Sequence, residues 1–553
     1  MRGKRVLVCT MLSTAMLLSS VTPAIFAGDS SQHQHVKPGD WNQPLPSSNI
    51  LHPGTPKSAS LHEQPLQNID SFIEQEMNKR TMPGAVVLVA RSGTIAKHEA
   101  YGYSARYTDN QFTEMANPVE MNKDTIFDIA SISKLFTTTA AMKLYEQGAF
   151  NLDDSVGQYL PEFNQNGKEK VTIRQIMTHT SGFTAWIPLY SKGNNREDRI
   201  QIALEYPLKN QPGTTYTYSD LNLITLGVLV ERLSGKRLDE YVKENITKPL
   251  GMKDTMYNPP ASLRERVAAT EYQPNIGRGM VWGSVHDENA WSLDGVAGHA
   301  GVFSTAKDLA VFGHMILKKG TYGGTQILQP ETVRLLTENQ LPEFPRNAHG
   351  LGWELNQGWY MDALANEETL GHTGYTGTSM VVSPKNQMIV LTLTNRVHPS
   401  RATVSMNPIR RQVARFVADS VPVPFDRKEK AWFSGYGDNL AKPLTFEVDE
   451  EQTKLHFNHW LSIENGSDQG IIQASEDGEQ WTSLSKTYTG KEEKWTHDMV
   501  DLPANTRYVR FLYETDGSVN GRGWYVNDVY TTDSEHEKEE VEVIKTEWEK
   551  RSW

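Results

Sequence analysis

A change of apolar period at Val421-Pro422-Val423-Pro424 constrains this chain more than any other feature. Upstream, helical spacing dominates residues 133–250, enclosed by strand-like apolar runs at 85–90 and 380–395, with a last helix over about 407–417. Downstream, short alternating segments at 454–460, 470–474 and 508–513 are separated by Asp-Gly and Asn-Gly turns, and seven of the 13 tryptophans fall there. One layer of secondary structure cannot serve both patterns. The pattern predicts an α+β domain followed by an all-β sandwich, and 553 residues supply enough chain for two cores.

Charge divides at the same place. The whole chain carries a formal net charge of −12, and from Lys428 onward acidic side chains outnumber basic ones by about twelve. The N-terminal module is therefore close to balance and the C-terminal one strongly acidic. Such a surface repels phosphate backbones, so nucleic acid is excluded as a partner and anionic lipid is disfavoured. The acidic module directs the partner question to cations or wall sugars.

Arg2, Lys4 and Arg5 precede an apolar run over 6–20 and a segment ending at Ala27, the layout of a cleavable signal peptide. The run is too short to span a bilayer, so no transmembrane anchor is expected after cleavage. The chain is expected to be secreted, extracellular or associated with a cell wall. Its only cysteine, Cys9, leaves with that peptide, which removes disulfides, thiolate nucleophiles and Cys metal sites from the mature chain. The predicted layout is a signal peptide at 1–27, a flexible leader at 28–63 and the α+β module at 64–420. A linker at 421–430, the sandwich at 431–532 and a charged tail at 533–553, with a strand near 541–544, complete it.

The motif S-x-x-K occurs three times: Ser131 with Lys134, Ser304 with Lys307, and Ser483 with Lys486. At the start of a helix, residues three apart share a face, so a lysine amine can take the serine proton if its pKa is lowered. Ser131 leads into the apolar stretch 135–144, which would bury both groups. Residues 305–308 read instead as a helix cap, and Ser483 and Lys486 lie in a strand, where residues three apart face opposite sides.

Three ordered motifs carry a family resemblance. Ser131-Ile132-Ser133-Lys134 looks like S-x-x-K, Tyr218-Ser219-Asp220 like Y-x-N, and His372-Thr373-Gly374 like K-T-G, supported by Met177-Thr178-His179-Thr180-Ser181-Gly182 and Gly350-Leu351-Gly352-Trp353. The module resembles serine β-lactamases and penicillin-binding proteins, in particular the class C β-lactamase-like branch that includes esterases and peptidoglycan amidases. The resemblance implies an antiparallel sheet with a helical region and an acyl-enzyme on Ser131. It makes Lys134 and Tyr218 the proton carriers and the N–H groups of Ser131 and Tyr375 the oxyanion hole, with no cofactor for catalysis. Asp220, His372, Thr373 and Gly374 would contact substrate.

Two departures bear on the substrate. Asp220 exchanges an amide donor for an anionic acceptor, and His372 weakens a fixed positive charge that would meet a substrate carboxylate. Both count against efficient β-lactam hydrolysis. A further stretch containing His286, Glu288 and His299 resembles one in the secreted N-acetylmuramoyl-L-alanine amidases; these residues are expected to line the cleft, and their spacing does not match a metal motif.

The C-terminal module resembles the jelly-roll domains of immune-inhibitor-type peptidases. Glu464, Asp468 and Asp528 are its candidate ligands for a structural Ca²⁺, and exposed tryptophans its candidate contacts with wall sugars. The expected activity is amide cleavage in a peptidoglycan-derived peptide or muropeptide. D-Ala-D-Ala carboxypeptidase, β-lactamase and esterase are the enzymic alternatives, and a non-catalytic penicillin- or wall-binding protein the alternative of another class.

Overall fold

The computed structural model describes residues 47–423, 430–484 and 487–552. The proposed signal peptide, most of the leader, the centre of the linker and Lys486 lie outside the described residues. Among those described, no helix is long and apolar enough to cross a membrane.

The strand Gly84–Arg91 explains the first module. All eight residues are buried, so the sheet containing it must be covered on both faces. Val86, Leu88 and Ala90 pack into the large core that also takes Leu309 and Phe312 from the helix Ala306–Leu317. Ala85, Val87 and Val89 point the other way, to Ile69 and Ile73 of Glu63–Asn78 and to Val413 and Val417 of Asn407–Asp419. The sheet order is His52–Pro53, Thr94–Tyr107, Gly84–Arg91, Met388–Thr394, Ser379–Ser383, Leu370–Thr373, Glu354–Leu355, with Glu114–Glu120 beside Thr94–Tyr107. Every pairing in it is antiparallel except that of His52–Pro53. The helical region lies between the sheet's two halves in sequence, and its centre is the helix Ser133–Glu146, buried on nearly every side and packed on Asp220–Ser234.

The second module is two facing sheets. One contains Lys454–Ser462, Thr496–Asp501 and Gly523–Thr532, the other Ala441–Glu447, Gln469–Ser475 and Tyr508–Glu514. Phe446, Phe457, Ile472, Phe511, Trp524 and Trp548 fill the space between them.

Three predicted boundaries are corrected. Residues 47–63 are not a free leader: His52 and Pro53 pair with Thr94 and Ile95, and Ala59 and Leu61 are buried. The linker begins inside the structure, with Val421 and Val423 buried and the Val421 carbonyl taking a bond from Arg522. The charged tail completes both sheets, through Lys538–Glu540 and Glu549–Arg551 on one and Glu542–Thr546 on the other, while Trp548 enters the core. The two modules are one compact unit, joined by Arg415 to Asp438, and by Arg551 and Tyr436 to Asp419.

Candidate active site

The turn bearing Ser131 is built under strain. Ala130, just before Ser131, sits at φ 45°, a left-handed conformation that costs a non-glycine residue free energy. Asp128 holds the turn by accepting the Ala130 N–H at 2.8 Å and, from the opposite side, the His286 N–H at 2.6 Å. Burial pushes its carboxyl above the ordinary range, and the His286 N–H opposes that shift.

Ser131, Lys134, Tyr218 and Asp220 come together. Lys134 Nζ donates to Ser131 Oγ at 2.9 Å and to the His299 carbonyl at 3.1 Å, and it lies 2.8 Å from Asp220 Oδ1. Lys134 is 1% exposed, and its amine lies 4.9 Å from the centre of the Tyr218 ring. Burial alone would lower the lysine pKa, but the Asp220 carboxylate and Tyr218 outweigh it and hold it above the usual lysine value. The expectation of a lowered lysine is therefore corrected: the resting state is an ammonium paired with Asp220. Burial likewise raises Tyr218, partly offset by Lys134, so its hydroxyl is neutral.

His179 positions the tyrosine. Its Nδ1 accepts the Ser219 N–H at 3.1 Å, and its ring lies 4.6 Å from that of Tyr218. Because that nitrogen accepts, the proton of the neutral ring sits on Nε2.

His372 lies 6.0 Å, ring to ring, from Tyr218. Burial, then the Lys134 charge, push its pKa down to about 3, so it is neutral at pH 7. Its Nδ1 donates to the Thr373 carbonyl at 2.8 Å, which leaves Nε2 as a buried acceptor with no partner among the described residues. Gly374 has a steric reason to be glycine: a Cβ there would stand 2.4 Å from the Ile129 carbonyl oxygen. Thr376 and Thr378 tie the same segment to the turn bearing Ser131 through the Asp128 and Ile129 carbonyls. Arg410 grips the Gly374 and Thr378 carbonyls. Tyr375 is half exposed, with its ring stacked on His286 at 5.8 Å.

The remaining cleft candidates are tied up in pairs. His286 Nε2 meets Glu271 at 2.9 Å, Glu288 is bonded to Arg401, and His299 Nε2 meets Asp287 at 2.9 Å. It is the His299 carbonyl, not its imidazole, that touches Lys134. Asp220, Asp287 and His299 cluster closely enough to suggest a metal, but the Lys134 ammonium already occupies the Asp220 side. Asp128, Glu271, Arg401 and Arg410 carry no local motif in the sequence; Asp128 bonds both the nearby Ala130 N–H and the distant His286 N–H, and Glu271, Arg401 and Arg410 each bond a residue 15 or more positions away. Of the other S-x-x-K matches, Thr305 caps its helix by accepting the Asp308 N–H at 3.2 Å, and Lys307 is exposed. Ser483 lies on an exposed strand.

In the second module, Glu464 and Asp468 lie together and Asp516 joins them, whereas Asp528 pairs with Lys538 on the surface. Burial, then the neighbouring Asp516 and Asp468, push Glu464 up to about 7, and burial pushes Asp468 up to about 6. Trp460, Trp524 and Trp548 are core residues; Trp432 and Trp481 are partly exposed beneath Lys550 and Arg510.

Comparison with known proteins agrees with this geometry. A family model described as "Beta-lactamase" matches residues 69–415. A Salmonella schwarzengrund protein named "Putative D-alanyl-D-alanine carboxypeptidase" is 33% identical over 392 residues, 65% of this chain and 89% of the relative. Among solved structures, EstCE1, "a hydrolase with promiscuous acyltransferase activity", superposes with a TM-score of 0.50 at 22% identity, over 63% of this chain and 98% of its own. A class C β-lactamase gives 0.50 at 20% identity, over 63% and 95%. These two likenesses establish the fold.

Proposed function

Because the chain belongs to the β-lactamase and penicillin-binding-protein-like family of serine hydrolases, we propose that it is exported and cleaves an amide bond in peptidoglycan-derived peptides through an acyl-enzyme on Ser131. The observation that carries this is the 2.9 Å contact between a buried lysine amine and the serine oxygen, with the Tyr218 ring centre 4.9 Å from the same amine. Once Lys134 yields its proton, its amine takes the Ser131 proton as Oγ attacks the carbonyl carbon. The N–H groups of Ser131 and Tyr375 receive the oxyanion, and Tyr218 relays a proton to the departing amine. Water then adds to the ester, the serine regains its proton and the acid product leaves.

The substrate reading rests on His372. A neutral acceptor cannot form the ion pair that a lysine there would make with a free substrate carboxylate. This favours an internal amide, as in an N-acetylmuramoyl-L-alanine linkage, over a C-terminal D-Ala. Exposed aromatic rings near the site support a sugar-bearing substrate. Tyr375 follows Gly374, Trp186 follows the residue whose carbonyl takes the Asp220 N–H, and Trp291 lies on the short helix begun by Asp287. The name of the Salmonella relative favours the second reading, a D-Ala-D-Ala carboxypeptidase.

Incubation with muropeptides, with the sugar-free peptides and with a D-Ala-D-Ala peptide separates the two. Release of an L-Ala peptide from N-acetylmuramic acid is expected; release of D-Ala alone would establish the carboxypeptidase instead. Export is tested by N-terminal sequencing of protein from the culture medium, which should begin at Gly28.

A further inference from the structure

The second module contains an anionic cluster far in sequence from the catalytic residues. Glu464, Asp468 and Asp516 each place a carboxylate oxygen within 4.8 Å of the other two. Asp468 is 0% exposed; its Oδ1 accepts the Asp516 N–H at 3.1 Å, and its Oδ2 has no hydrogen-bond partner among the described residues. Glu464 Oε2 is likewise buried and unpartnered. Among the described residues no lysine or arginine pairs with any of the three; Arg415, on the hydrolase side, is committed to Asp362 and Asp438.

The cluster is held in shape before anything binds. Thr489 Oγ1 donates toward the carbonyls of Glu464 and Asp468, at 3.1 and 2.8 Å, and accepts the Gly466 N–H at 2.8 Å, fixing the turn that carries both acids. Asp516 comes from a separate loop, anchored by its carbonyl to the Asn439 N–H. A buried carboxylate oxygen without a donor is costly, and crowding three acids increases that cost. Two oxygens on opposite sides of a Ca²⁺ bound at about 2.4 Å stand about 4.8 Å apart, so all three acids fit around one ion.

We propose that Glu464, Asp468 and Asp516 bind one Ca²⁺, with water completing its oxygen shell. The ion ties the turn at 464–468 to the loop at 515–520. That loop reaches the hydrolase module: the Asn520 N–H donates to Asp362 at 3.3 Å and Val519 packs by Gly358. The ion therefore braces the sandwich and the loop that docks it.

The test uses the full chain stripped with EGTA and titrated with CaCl₂ in a calorimeter, with thermal melts in parallel. One site per chain is expected, with a melting temperature higher by about 3 °C or more at saturating ion. Asp468→Asn should abolish binding and the thermal shift. Because the amide also relieves the crowding of charge, the variant in EGTA should melt no lower than the wild type in EGTA, which separates lost ligation from misfolding. Asp528→Asn should bind like the wild type. No heat and no shift at about 10 mM CaCl₂, beyond the range of extracellular sites, would overturn the proposal, as would unchanged binding by Asp468→Asn.

Discussion

Asp220 sets the charge of Lys134. Its carboxylate, 2.8 Å from Lys134 Nζ, holds the ammonium protonated despite nearly complete burial. A protonated amine cannot act as a base, so activity should rise with pH as Lys134 loses its proton. Removing the anion lowers the lysine pKa, and the ascending limb of kcat/KM against pH should move to lower pH in Asp220→Asn, by about one unit or more. An unmoved limb would show that another group controls it. That Ser131, Lys134 and Tyr218 would come together was legible in the sequence, because each lies in a short motif. The charge state of Lys134 was not: it depends on an acid 86 residues away and on a wall of packed side chains that no local pattern encodes.

Two elements must approach closely for the site to exist, the turn bearing Ser131 and the segment following Leu370–Thr373. Gly374 permits the approach, Thr376 and Thr378 fasten it, and Asp128 and Arg410 hold its two sides. Gly374→Ala would drive a methyl into the Ile129 carbonyl. It should cost about 1–3 kcal/mol in urea unfolding and reduce turnover about a hundredfold through misplacement of the oxyanion donors. The buried elements were predicted well, since the apolar run at 85–90 and the helix after Ser131 advertise themselves by hydrophobicity. The edge elements were read only in part: a strand near 541–544 was expected, but within a tail rather than in the sheets, and the strand at Glu549–Arg551 was not expected. Glu542–Thr546 and Glu549–Arg551 are short, charged and largely exposed, the composition that keeps an edge strand from pairing with other chains and also makes it read as a tail.

Across the whole molecule, the sequence break at 421–424 marks a change of architecture without marking a hinge. The Arg415–Asp438 and Arg551–Asp419 pairs join the two modules, and the final strand supplies Arg551. The last residues should therefore be needed for folding. Trp548→Ala is expected to destabilise the sandwich by about 3–5 kcal/mol in urea unfolding, where a dispensable tail would give no change. The acidic surface belongs mainly to this module, so the near-neutral hydrolase module owes its chemistry to a few buried charges. The central claim is that Ser131 is the nucleophile. Intact-protein and peptide mass spectrometry after reaction with a serine-directed phosphonate tests it most directly. One adduct per chain is predicted, on the peptide containing Ser131 and absent from Ser131→Ala; a folded chain that stays unlabelled, or that carries its adduct elsewhere, would contradict the account.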